Sequence, residues 1–221
     1  MKETMDKKID EIGDMHISTS TDTPMRLDAF LLDDALKIEL IEKHFREIMI
    51  ILGLDLNDDS LTGTPRRVAK MYVEEIFKGL NPKNRPDSKL FENKYNYGQM
   101  LVEKNITFYS NCEHHFVPIW GVAHVAYIAN GHVIGLSKIN RIVQFVAARP
   151  QVQERMTMQI LRELKEALKT EDIAVVIDAH HHCVSSRGIR DIQSSTITSE
   201  FSGKFKDDEK YRNEFFTYIA K

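Results

Sequence analysis

Both cysteines of this chain, Cys112 and Cys183, lie inside its two densest histidine clusters, and those clusters hold five of its nine histidines. Cys112-Glu113-His114-His115 offers a thiolate and an imidazole as C-x-x-H, a spacing from which both side chains converge within one turn. His181-His182-Cys183 offers a second half. In a strand, side chains two apart share a face, so His181 and Cys183 point one way while His180 and His182 point the other. Two soft thiolates with one imidazole suit Zn2+, and three protein ligands leave the fourth tetrahedral position for water. A structural site closed by a second histidine has the same spacing, and a lone buried Cys or His is ordinarily a packed core residue. A fold that uses these residues together must carry two distant segments to one place.

The chain is long enough to do so. Its 221 residues, 42% hydrophobic and 29% charged with ten glycines and six prolines, suit one domain or one domain with an N-terminal extension. A net charge of −3 supplies no global basic field, which argues against nucleic acid or an anionic membrane as partner, so an anionic ligand must be met by a local basic cluster. No apolar run reaches the roughly eighteen residues a membrane span needs, and the first thirty hold no signal-like segment. The expected compartment is the cytoplasm, where two cysteines remain thiols.

Residues 1–27 are polar without sustained period and read as a flexible tail. Residues 28–96 read as an N-terminal helical region, and 97–221 as the main domain, which holds both cysteine–histidine clusters. A helix fits about residues 33–52, with Ile41, Phe45, Ile48 and Leu52 on one face. Another starts at Thr64 as N-cap with Pro65 in its first turn and stops at Gly79. Asn81 to Asn96 reads as a polar loop. From Met100 the pattern turns to β: one strand leads into Cys112, and HFVPIWGVAHVAYI and HVIGL read as strands around a tight turn at Asn130-Gly131. Two helices divided by Pro150 follow, with stripes at Ile139, Ile142, Val143 and Val146, then at Ile160, Leu161, Leu164 and Leu168. DIAVVIDAHHHCV and SSTITSEFSG return to strand, and KYRNEFFTYIA closes as a helix. The class is α+β, with central order ββααββ, an antiparallel sheet carrying its helices on one face.

Gly135 to Arg141 spans a strand-to-helix transition where Ser137 can cap the helix and Lys138 and Arg141 add positive charge to its anion-favouring first turn. Arg187-Gly188-Ile189-Arg190 lies just past the second cysteine. A phosphate-bearing ligand could bridge the two basic groups; solvated surface charge is the plainer alternative. Gln153-Glu154 opens the helix after Pro150, where a carboxylate either complements the helix dipole or accepts hydrogen bonds from adjacent N–H donors of a base such as guanine.

Cys112-Glu113-His114-His115, Ile134 to Arg141, Arg149 to Arg155, His181 to Val184 and Arg187 to Asp191 together resemble GTP cyclohydrolase I, in order, from about Leu36 to the C-terminus. The resemblance implies the tunnelling fold, whose ββααββ unit has the order just read. It implies a toroidal homodecamer of two stacked pentamers with active sites between subunits. The implied reaction turns GTP and water into formate and 7,8-dihydroneopterin triphosphate, entering folate or tetrahydrobiopterin synthesis. Zinc would sit on Cys112, His115 and Cys183, and His114 and His181 would transfer protons. Glu154 would anchor guanine, Gln153 beside it would also contact the substrate, and Ser137, Lys138, Arg141 and Arg187 would bind the rest of it, chiefly its triphosphate. His182 departs from the aromatic that many relatives carry there. Other tunnelling-fold purine or pterin enzymes, and a non-catalytic zinc-stabilised nucleotide-binding protein, are the competing readings. The Cys-His-Cys set speaks against the first and the pair His114 and His181 against the second.

Overall fold

The computed structural model describes residues 20–87 and 89–220; most of the segment read as a tail lies outside them. Asp33 caps helix α1 (Asp34–Ile51), its carboxylate accepting from the Leu36 N–H at 2.8 Å. Helix α2 (Thr64–Lys70) begins one residue earlier than Thr64 as cap would require: Gly63 is the N-cap and makes no side-chain bond. It runs on through a π-helical turn at Met71–Ile76 to a 3-10 turn at Lys78–Leu80 that contains Gly79.

Five strands form the main sheet in the order β5-β2-β3-β6-β7: β2 (Met100–Cys112), β3 (Pro118–Ile128), β5 (Pro150–Gln151), β6 (Ile173–His181) and β7 (Thr196–Ser202). The pairs β2–β3, β3–β6 and β6–β7 are antiparallel, while the two residues of β5 run parallel to the end of β2 and set Gln151 opposite Cys112. Helices α3 (Leu136–Ala147) and α4 (Gln153–Leu168) lie between the strand pairs in sequence, which gives the ββααββ order.

Alternation along the strands decides what each face buries. Phe108, Val125 and Ile177 pack with Ile139, Val143 and Val146 of α3 and with Met156, Ile160 and Leu164 of α4. All eight stripe residues assigned to these two helices from the sequence are buried. The intervening residues Ala126, Ala174 and Val176 are apolar too, and they pack against Phe205 and Phe215 of α6 (Lys204–Asp207) and α7 (Glu209–Ile219). Helices therefore cover one face fully and one end of the other, rather than one face alone. The rest of that second face is open, where Trp120 stacks on His180 with ring centroids 4.7 Å apart.

Three local expectations fail for identifiable reasons. β4 (His132–Ile134) follows the turn at Gly131 but makes no hairpin with β3, both of whose edges are taken by β2 and β6. It pairs instead with β1 (Leu90–Glu92), a strand inside the stretch expected to be loop. In α1 the covered face runs through Ile38 and Met49, while Ile48 and Leu52 are exposed at 49% and 71%. The helix carries apolar residues on more than one side, so periodicity alone does not choose the face that packs on α2. Ser137 makes no capping bond; Gly135 is the N-cap of α3.

Candidate metal centre and active site

β2 and β6 are next-but-one neighbours in the sheet, about 10 Å apart across β3, and they run the same way to end at the same margin of the sheet, at Cys112 and His181. The Cys112 N–H donates to the Val117 carbonyl and the Phe116 N–H to the Cys112 carbonyl, each at 2.8 Å. This closes Glu113–Phe116 into a tight turn that ends with Phe116 at φ +54°. The turn folds both neighbouring histidines back, so that Cys112 Sγ lies 3.8 Å from Nδ1 of His114 and 3.9 Å from Nδ1 of His115. Past β6 the backbone does not continue as strand: His182–Ser185 form a short helical turn, α5. Cys183 therefore reaches the site from a turn, not by strand alternation with His181.

Cys112, His115 and Cys183 offer ligand atoms that all lie within 4.8 Å of one another, and among the described residues they are the one such group of three or more. A tetrahedral ion about 2.3 Å from each sulfur needs its donors some 3.5–3.8 Å apart, so small side-chain shifts complete the set. Two sulfurs and an imidazole fit zinc. Burial and the neighbouring Cys112 push the Cys183 thiol up to about 11. A divalent cation reverses that preference by favouring the thiolate. His114 sits equally near Cys112 but falls outside the group; its ring is 6.3 Å from that of His115 and its Nε2 is 3.8 Å from a Glu113 oxygen.

The turn is braced from beneath by residues that sequence reasoning missed. Arg155, 1% exposed, pairs with the Glu113 carboxylate and donates to Gln151 Oε1 at 3.2 Å and the Pro150 carbonyl at 3.3 Å. Buried Gln151 donates in turn to the Val146 carbonyl and to Gln159 Oε1, both at 2.9 Å. The signal for this brace is Gln151 just before α4 and Arg155 in its first turn, with an acidic residue inside the C-x-x-H motif.

His181 is half-buried, and its Nε2 lies 2.7 Å from Oε1 of buried Gln153. Burial lowers its pKa, and the nearby Glu154 carboxylate opposes that shift. Glu154 stands exposed in the first turn of α4. Arg187 reaches back to the centre, its Nη1 2.8 Å from His115 Nε2. Ser137, Lys138 and Arg141 occupy the first turns of α3 and are not members of the Cys112–His115–Cys183 group.

An α+β chain that gathers two thiols and an imidazole just past the C-terminal ends of two strands of an antiparallel sheet, with a further histidine in reach, has the make-up of a zinc-dependent hydrolase. The comparisons with known proteins agree and go further. The model of the family described as GTP cyclohydrolase I matches residues 41–220, and the chain belongs to that family. It is 63% identical over 211 residues to GTP cyclohydrolase 1 of Flavobacterium johnsoniae, covering 96% of this chain and 94% of that one. It is 50% identical over 216 residues to the enzyme of the same name from Salmonella gallinarum, covering 98% and 97%. To that of an Enterobacter species it is 51% identical over 203 residues, covering 92% and 91%.

Proposed function

We propose a division of labour for the reaction of this family, in which GTP and water give formate and 7,8-dihydroneopterin triphosphate, the first step of folate or tetrahydrobiopterin synthesis. The chain is a zinc-dependent GTP cyclohydrolase. Cys112, His115 and Cys183 hold the zinc, and the convergence of their three donors is the observation that carries the reading. Bound zinc supplies Lewis acidity and lowers the pKa of coordinated water to about 7. Opening the imidazole ring of guanine and releasing formate require protons on ring nitrogens, which histidines can deliver near neutrality. His114, on the metal turn, and His181, at the end of β6, move them; the nearness of His114 to Cys112 and the position of His181 at the strand end support this reading. Glu154 accepts from the adjacent N1–H and amino group of guanine. Lys138 and Arg141, with Ser137 beside them, and Arg187 hold the triphosphate, which takes no part in the bond changes and serves to position the purine.

Ser137, Lys138 and Arg141 stand outside the metal group of their own chain, which suits a site completed between subunits. We assign the working form as a decamer of two stacked pentamers of the tunnelling fold, with residues 97–221 as the catalytic unit and residues 28–96 as its helical annex. Among the described residues no helix is long and apolar enough to cross a membrane; the cytoplasm, which keeps both thiols reduced, is the compartment we assign.

Three histidine variants test the roles. His115→Ala should lose zinc and all turnover. His114→Ala and His181→Ala should keep zinc and bind GTP, with turnover reduced by 10²–10⁴-fold, on the order of a lost general acid or base. Loss of zinc from His114→Ala with retention in His115→Ala reverses the assignment.

A further inference from the structure

Gln153, read from the sequence as a substrate contact, has both ends of its amide occupied inside the protein. It is 2% exposed. Its Nε2 donates to the Thr196 carbonyl at 2.7 Å and to Thr198 Oγ1 at 3.2 Å, and lies 3.4 Å from the Ile177 carbonyl. Backbone carbonyls only accept, so the amino end of the amide must face the β6–β7 ladder; reversing it would set oxygen against two carbonyls. A closed circuit reinforces the orientation. Thr198 Oγ1 and Thr157 Oγ1 are 2.7 Å apart, and the Thr157 hydroxyl donates to the Gln153 carbonyl at 2.8 Å. Thr157 spends its hydrogen there, so Thr198 donates to Thr157 and has its lone pairs left for the Gln153 amide.

Oε1 is thereby turned toward His181, 2.7 Å from Nε2, and an amide oxygen only accepts. Nε2 must carry the hydrogen, and in a neutral imidazole Nδ1 is then the acceptor. We infer that Gln153 is a positioning residue: it fixes His181 as the Nε2–H tautomer and so makes Nδ1 the atom through which His181 exchanges protons with the substrate. The inference rests on the proton-transfer role proposed for His181. It removes Gln153 from the substrate contacts and gives Thr157 and Thr198 a reason to be buried behind the site.

The test uses the zinc-loaded enzyme with Gln153→Met, which keeps the chain length and deletes the acceptor. Zinc content and the KM for GTP should match the wild type, while kcat falls by a factor on the order of 10² for a misplaced proton carrier. In 15N spectra of histidine-labelled enzyme, the single Nε2–H form of His181 should give way to a mixture of tautomers. Thr198→Val leaves the Thr196 carbonyl in place and should lower kcat less, again with KM unchanged; it decides the matter if Gln153→Met folds poorly. A raised KM with unchanged kcat in either variant makes Gln153 a substrate contact and overturns the inference. Loss of zinc makes it a brace for the metal and does the same. Full turnover by His181→Ala would instead sink the role of His181 itself, a separate and distinguishable failure.

Discussion

Glu154 and Gln153 are neighbours at the start of α4 with opposite environments, one exposed and one buried, and the difference supports the roles proposed for them. A buried amide with every polar atom bonded can only hold something in place. An exposed carboxylate near a half-buried histidine is free to meet a ligand. Guanine presents two adjacent donors to such a carboxylate, whereas adenine presents an acceptor at its ring N1, leaving the carboxylate unpaired. GTP should therefore be preferred over ATP by a factor on the order of 10⁴ in kcat/KM, as for sites built to bond a particular donor. Glu154→Ala should abolish GTP turnover while leaving zinc content unchanged. Comparable use of ATP by the wild-type enzyme contradicts the assignment.

At the scale of elements, Gly79 shows how the N-terminal helices are locked to the sheet domain. Its N–H donates to the Ala148 carbonyl at 2.9 Å, and its own carbonyl accepts from Arg149 Nε at 2.9 Å. A Cβ added there would meet the Phe145 carbonyl at 2.1 Å and that of Ala148 at 2.7 Å. Gly79→Ala should accordingly cost about 1–3 kcal/mol, the usual range for overpacking, read as a lowered denaturant midpoint with unchanged slope. The sequence marked Gly79 only as a helix stop, because a close approach by a segment some seventy residues away leaves no local trace. The same contrast runs through the chain. α3, α4, β2, β3, β6 and β7 were legible because each carries its own period and buries the face that period marks. The pairing of β4 with β1, the covered face of α1 and the helical turn that delivers Cys183 were not, because each depends on which neighbour is already occupied. The cysteines and histidines of the site were legible from their clustering, while the Glu113–Arg155 brace emerged only once β5 laid Gln151 beside Cys112.

For the molecule as a whole, two surfaces are unfinished in a single chain. Ile48 and Ile51 of α1 and its C-cap Leu52 are 49%, 82% and 71% exposed, and Ile197 on the edge strand β7 is 66% exposed. An open strand edge and an apolar helix flank are what a ring of copies would cover. Sedimentation equilibrium should find the proposed decamer, and a chain that remains monomeric while turning over GTP contradicts a site shared between subunits. The most direct test is chemical. Purified zinc-loaded enzyme is incubated with GTP, and zinc, formate and the pterin that fluoresces after oxidation are measured together, beside Cys183→Ser. We expect about one zinc per chain, one formate for each pterin, and loss of all three in the variant. Formate and pterin produced at the wild-type rate by a Cys183→Ser enzyme free of zinc would contradict it.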